Sequence, residues 1–178
     1  MIPTSPPRRA ASGTSLVEFA LQGDLLIGEG LRLRAAHGRA GITNHKQEGD
    51  GATPAGLLRL VRVLYRADRI KPPICAVPLE PISPRDGWCD DMADPAYNKP
   101  VRLPFAPSHE ELWRADNVYD VIGVLDWNLA PIVPGHGSAI FFHAATPDYA
   151  PTAGCVALAL PDVLAALAAG LTAIHVPG

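Results

Sequence analysis

The chain has 178 residues, with 15 Lys and Arg against 18 Asp and Glu, a formal net charge of −3. That length fits one domain with a short appendage, and 48% hydrophobic against 19% charged residues excludes an intrinsically disordered chain. The near-neutral balance argues against a nucleic-acid binder, and no stretch approaches the roughly 18 apolar residues of a membrane span. Its 19 prolines and 16 glycines imply many turns, and so a mainly β fold with one or two short helices.

Residues 1–13 form a Pro-rich N-terminal tail, and 14–178 read as a single domain. The tail carries Arg8-Arg9, but Ser12, Gly13, Thr14, Ser15 and Glu18 interrupt the apolar stretch after it, so no signal-type apolar region is expected. The expected location is cytoplasmic, or periplasmic if another export route operates. Short apolar runs broken by glycine, Ser15–Leu21, Leu25–Gly28 and Leu31–Ala36, predict a β-meander. A Gly-rich loop spans Gly41–Gly56, and Leu57–Tyr65 alternates as a strand. Residues 66–107 are Pro-rich without periodicity and predict a long ordered loop region.

Ser108–Trp113 predicts a short helix, with Ser108 as N-cap and Glu110 and Glu111 near its positive end. Strands are expected at Val118–Trp127, Ala139–Ala144 and Cys155–Leu160. Pro161-Asp162 opens a helix to about Ala169, ended by Gly170, and Leu171–Val176 closes the chain as a strand.

The chemistry concentrates between Phe141 and Leu158. His143 ends an apolar strand, a polar loop comes next, and Thr152-Ala153-Gly154-Cys155 leads into a second apolar run. If the loop folds the strand ends side by side, the imidazole meets the thiol, and a thiol beside a base can act as nucleophile. Gly154, without a Cβ, lets the backbone turn its N–H groups toward an attacked carbonyl, as an oxyanion hole requires. The residues alone leave open that Cys155 is a small core hydrophobe and His143 merely hydrogen-bonded. They also leave open a zinc site of His136, His143 and Asp148, although no HExxH is present. Cys75, Cys89 and Cys155 are too few and too scattered for a disulfide framework or a CxxC zinc site.

His143 followed by Thr152-Ala153-Gly154-Cys155-Val156 resembles the signature of the L,D-transpeptidase catalytic domain. Lys46-Gln47-Glu48-Gly49-Asp50-Gly51-Ala52-Thr53-Pro54-Ala55-Gly56 is similar to that family's Gly/Thr-Pro-x-Gly segment, and the resemblance runs from about Leu16 to Val176. It implies two mixed sheets in a β-sandwich and a cysteine acyl transfer on peptidoglycan stem peptides through a Cys155 thioester. Cys155 would be nucleophile and His143 base and later acid, with a main-chain carbonyl near Ala144 holding the imidazole. The N–H groups of Gly154 and Cys155 would be oxyanion donors. Two positions depart from the family pattern: Ala153, where a His commonly precedes Gly-Cys, and Ala157, where Arg or Asn is frequent.

The implied partner is a stem peptide or muropeptide, with no cofactor or metal. Water is the favoured acceptor, giving an L,D-carboxypeptidase that removes a terminal D-Ala. Cross-linking by L,D-transpeptidation and a non-catalytic peptide-binding module are the alternatives. Thr152, Tyr149, Trp88 and Asp91 are expected to contact substrate. The stretches around Asp91 and Tyr97-Asn98 read slightly better as loop scaffolding, their Asp and Asn side chains accepting main-chain N–H bonds in turns, and packing is an equal reading for Tyr149.

Overall fold

The computed structural model describes residues 16–178; the Pro-rich tail lies outside the described residues. The chain is mainly β with one helix among the described residues. The opening meander forms as its glycine-broken runs predict: β1 (Glu18–Gln22), β2 (Leu25–Gly28) and β3 (Leu31–Ala36) pair antiparallel in succession. The Gly-rich loop contributes a two-residue parallel pair, β4 (Ile42–Thr43) with β5 (Thr53–Pro54).

The strand β6 (Gly56–Tyr65) decides the architecture. Its first half pairs with β14 (Ala173–Val176) and its second half with β11 (Val121–Leu125). The order β11, β12 (Phe141–Ala144), β13 (Val156–Leu158), β3, β2, β1, β14, β6 therefore returns to β11, and eight strands close into a ring. The strands do not separate into the two mixed sheets of the expected sandwich. Ten residues of strand use both edges of β6 and join what would have been two sheet ends. Closure leaves none of these eight as a free edge. A short strand β7 (Leu79–Pro81) runs parallel beside the end of β6.

Residues 66–107 are not loop alone. They hold β7, β8 (Asp86–Cys89) and β9 (Pro100–Arg102). The expected helix at Ser108–Trp113 is instead β10 (His109–Glu111), which pairs antiparallel with β8 and completes a three-stranded sheet with β9. So short a segment cannot recover the cost of nucleating a helix, whereas pairing with β8 satisfies its backbone at once. The helix α1 (Leu160–Ala168) forms where Pro161-Asp162 predicts it, and Gly170 follows its C-cap at φ +91°.

Two apolar clusters explain the layering. Phe19, Leu21, Leu26, Leu58, Val63, Val121, Phe142 and Val156 form one, to which α1 adds Val163, Ala166 and Leu167. Ile122, Val124 and Phe141, from the opposite faces of β11 and β12, join Trp88, Leu112 and Ile82 in the other. Both faces of β11 and β12 are thus covered, which is why these strands read as continuous apolar runs rather than alternating ones. The second cluster lies between the ring and the β8–β10 sheet, and Cys155 belongs to it.

Three loops are tied at the rim by Gly38. Its N–H donates to Thr53 Oγ1 at 2.8 Å, Arg39 N–H to the Thr152 carbonyl at 2.9 Å, and Thr152 N–H to the His37 carbonyl at 2.9 Å. A Cβ at Gly38 would lie 2.5 Å from the Gly51 carbonyl oxygen, a backbone atom that cannot swing aside. Gly38→Ala is expected to cost about 1–3 kcal/mol, the range for overpacking, read as a lower denaturation midpoint with an unaltered slope.

Candidate active site

The strands β12 and β13 run parallel, with Phe142 opposite Val156 and His143 opposite Ala157. Because side chains alternate, Phe141, His143 and Ala157 share a face, and Cys155, one step before Val156, joins them. The 145–154 loop that connects the strands is stapled internally. Thr152 Oγ1 donates to the Cys155 carbonyl at 2.7 Å and accepts the Gly154 N–H at 3.1 Å, while Thr146 Oγ1 donates to Asp148 Oδ1 at 2.6 Å. Gly154 sits at φ +146°, and a Cβ there would come within 2.9 Å of the Ala52 carbonyl oxygen, so only glycine brings this turn against the 46–56 loop.

The imidazole of His143 is held by main chain. Nδ1 donates to the Ala144 carbonyl at 2.9 Å. A carbonyl only accepts, so Nδ1 carries the hydrogen and Nε2 is left as the acceptor, the form a general base needs. Tyr119 packs edge-on to the ring at 5.3 Å between centroids. Cys155 Sγ donates to the Ala139 carbonyl and accepts the Phe141 N–H, both at 3.3 Å. The resting thiol is therefore committed to backbone rather than to His143.

Both groups are nearly buried, Cys155 7% and His143 6% exposed. Burial pushes the Cys155 thiol up to about 12, with the Glu110 charge adding to it. Burial lowers His143 to about 4, against the opposing bond to Ala144. The resting pair is thus neutral thiol and neutral imidazole. Two cavities reach the sulfur. One of about 210 Å³ also holds His143, Tyr119, Arg114 and Thr146. The other, of about 170 Å³, holds Lys46, Glu48, Asp90, Ser138 and Gly154, and Glu110 lines both.

The expected substrate contacts divide. Thr152 lines the His143 cavity, but its hydroxyl is used up on main chain. Trp88 is no substrate wall: it is 2% exposed, packs edge-on to Phe141 at 5.2 Å and donates Nε1–H to Asn98 Oδ1 at 2.9 Å. Tyr149 sits under the Arg34 guanidinium, 4.2 Å from its ring centroid, in a separate depression with His37 and Arg39. Asp91 caps the Ala93 N–H at 2.9 Å in a turn; its neighbour Asp90 faces the sulfur cavity instead. Asp148 is likewise spent on Thr146 and Ala150, and among the described residues no three His, Cys, Asp or Glu side chains converge to hold a metal ion.

Sequence reasoning missed Tyr119 and the place of Glu110 at the site, and reached Asn98 only as local loop scaffolding. Asn98, buried at φ +54°, takes the Trp88 Nε1–H and the Ala139 N–H on Oδ1, and gives its amide to the Trp127 and Asn128 carbonyls. It fixes the backbone whose Ala139 carbonyl receives the thiol. A loop Asn beside Tyr97 carries no sequence signal of this, since its partners are 10, 29, 30 and 41 residues away.

Against this geometry, comparison with family models gives one match: the L,D-transpeptidase catalytic domain (YkuD), over residues 21–173. The chain belongs to the L,D-transpeptidase catalytic-domain family. No curated protein and no solved structure matches it. Membership assigns cysteine-dependent acyl transfer on peptidoglycan stem peptides. Within the family pattern, Ala157 now has a place: it faces His143 across the ladder and lines the same cavity, so its small side chain leaves the ring room.

The buried neutral pair can be checked in two ways. A thiol near 12 has far less thiolate at pH 8 than free cysteine near 8.5, so iodoacetamide should label Cys155 on the order of a thousandfold slower in the folded protein. Labelling at the free-cysteine rate would contradict the neutral pair. Asn98→Ala strands the Trp88 and Ala139 donors and is expected to destabilise by about 2–4 kcal/mol, seen in the unfolding midpoint.

Proposed function

We propose that the chain cleaves the last peptide bond of a stem tetrapeptide and passes the acyl group to water, as an L,D-carboxypeptidase. The observation that carries this is the cavity beyond His143. At about 210 Å³ it is smaller than an ordinary ligand pocket of roughly 300–1,000 Å³. Its lining includes the Arg114 guanidinium, whose Nε and one terminal nitrogen bind Asp116. That space suits a single terminal residue with its free carboxylate and then a water molecule. It is tight for a second stem peptide.

The mechanism uses the resting geometry. The substrate carbonyl carbon approaches Sγ, and the thiol turns its proton from the Ala139 carbonyl to His143 Nε2 as the C–S bond forms. The Ala144 carbonyl stabilises the resulting imidazolium through Nδ1–H. The Cys155 N–H is the first oxyanion donor; the Gly154 N–H becomes the second only after release from Thr152 Oγ1. His143 then gives its proton to the departing amine, the C–N bond breaks, and a thioester is left. Water, deprotonated by His143, attacks that thioester; the carboxylate leaves and the thiol regains its proton.

A cross-linking transpeptidase is the second reading. It is favoured by the second cavity, which reaches the same sulfur and shares Lys46 and Glu48 with a wider depression of about 590 Å³.

Incubation with a free stem tetrapeptide is expected to release D-Ala, with no dimer. Dimers would establish the second reading, and neither product would overturn both. Cys155→Ala and His143→Ala should each lower turnover by at least about a hundredfold. A carbapenem should add covalently to Cys155, seen by intact mass. Since His143 titrates near 4, kcat/KM for the free enzyme should hold down to about pH 4 rather than falling near 6.5. C-terminal amidation of the peptide should weaken it as a substrate.

A further inference from the structure

The two cavities meet the Cys155 sulfur from different sides, and one carboxylate lines both. His143 lines the cavity of about 210 Å³ but not the one of about 170 Å³, whereas Glu110 of β10 lines each. Its Oε2 accepts the Tyr119 phenol, and among the described residues its Oε1 takes no hydrogen bond. The other polar groups of the smaller cavity are occupied or closed off. Glu48 has both oxygens engaged, by the Gly49 N–H and the Tyr97 phenol. Asp90 Oδ1 is buried, and Lys46 holds Asp50. Glu110 is also the carboxylate whose charge is felt at the sulfur.

A carboxylate is a poor neighbour for a thiol that must ionise, but its effect changes sign once the sulfur carries an acyl group. The thioester is neutral, the attacking nucleophile must lose a proton, and the new negative charge appears on the carbonyl oxygen. A carboxylate that takes up that proton becomes neutral as the oxyanion forms, so the repulsion disappears at the step where it would cost most. Burial lifts the Glu110 carboxyl above the ordinary range, and the Tyr119 hydrogen bond opposes the lift. Asp90 and Glu48 add to it, and Arg114 works against it. A base raised in this way is better matched to proton transfer near neutral pH than an ordinary carboxylate.

We propose that Glu110 is a second general base, serving a water that reaches the Cys155 thioester through the smaller cavity while the released D-Ala still fills the larger one. The proposal rests on the acyl-transfer reading above, in which water on the His143 side uses the imidazole. The water oxygen bonds to the thioester carbon as one of its protons passes to Glu110 Oε1. The C–S bond then breaks, and that proton passes from Glu110 to the sulfur. The product carboxylic acid gives its remaining proton to solvent, and thiol and carboxylate are both restored.

The test separates the two halves of the reaction. Glu110→Gln keeps an acceptor for the Tyr119 phenol but cannot take up a proton. Mixed with one equivalent of stem tetrapeptide, it should release the first D-Ala at least as fast as wild type. Its thioester, read by intact mass, should then persist at least about tenfold longer, the His143 route remaining. Glu110→Asp should recover part of the loss. Glu111→Gln, whose side chain alternates to the other face of β10, should match wild type. In wild type, kcat should fall as pH drops through the raised Glu110 range, while kcat/KM, set by acylation, holds to lower pH. Tyr119→Phe removes a bond that lowers the Glu110 carboxyl, so the fall in kcat should move to higher pH. A thioester that decays equally fast in Glu110→Gln overturns the second base and leaves acyl transfer standing. So does a first D-Ala release slowed as much as the decay, with the unfolding midpoint unchanged. Should the midpoint drop, the wild-type profiles decide, and kcat and kcat/KM falling together overturns the second base. A wild type that releases no D-Ala and takes up no carbapenem overturns acyl transfer, and the second base with it.

Discussion

The parallel pairing of β12 with β13 is the contact on which the site depends. Its register puts His143 opposite Ala157 and leaves Cys155 one step earlier on the same face. Because strand side chains alternate with a period of two, a slip of one residue would turn the thiol into the ring core and leave the imidazole alone. The register is held from several directions. Thr152 ties the loop to the Cys155 carbonyl, β13 pairs onward to β3, and β12 pairs with β11. Ring closure through β6 then fixes these strands relative to the rest of the sheet, since no member can shear without breaking two ladders.

Placing the pair inside the protein has a chemical consequence. Two groups that are almost fully enclosed cannot be held cheaply as an ion pair, because the desolvation cost of both charges competes with their attraction. The resting site avoids that cost by keeping sulfur and imidazole neutral and giving each a backbone partner. Oxidation and alkylation both proceed through thiolate, so the same arrangement slows both at Cys155. In the proposed reaction the thiol proton moves as the carbon–sulfur bond forms.

Much of this centre was legible in the sequence, and the reason is locality. His143, Ala144, Gly154 and Cys155 lie within 13 residues of one another, and a strand–loop–strand pattern is enough to suggest that they meet. The strands Leu25–Gly28, Leu31–Ala36 and Leu57–Tyr65 were readable for the same cause, each carrying its own period. The β8–β10 sheet was not. Strands of three or four residues have no measurable period, and Glu110 looked like a helix-start acid because its partner, Trp88 of β8, is 22 positions away. Trp88 itself looked like a surface aromatic in a Pro-rich loop. Only the fold reveals that the loop lies against the ring and buries it. Where Tyr149 and Asp91 point was not readable for a related reason, since the direction of a loop side chain is set by backbone turns that composition does not encode.

The polar surroundings of the sulfur raise a final physical point. An acid beside a cysteine nucleophile works against both the thiolate and the oxyanion that forms next, so a site built for constant readiness would exclude Glu110. Here Glu110 is present, burial lifts its carboxyl above the ordinary range, and Tyr119 gives it a hydrogen bond. On the opposite side Lys46 comes close to the Gly154 turn: a Cβ on that glycine would be 3.5 Å from Nζ. Its positive charge favours the ionised sulfur but is itself answered by Asp50. The Cys155 sulfur thus sits between an incompletely answered negative group and a fully answered positive one. Burial is what holds the resting thiol on its protonated side; the Glu110 charge widens that margin, and the Phe141 N–H and the Lys46 charge narrow it.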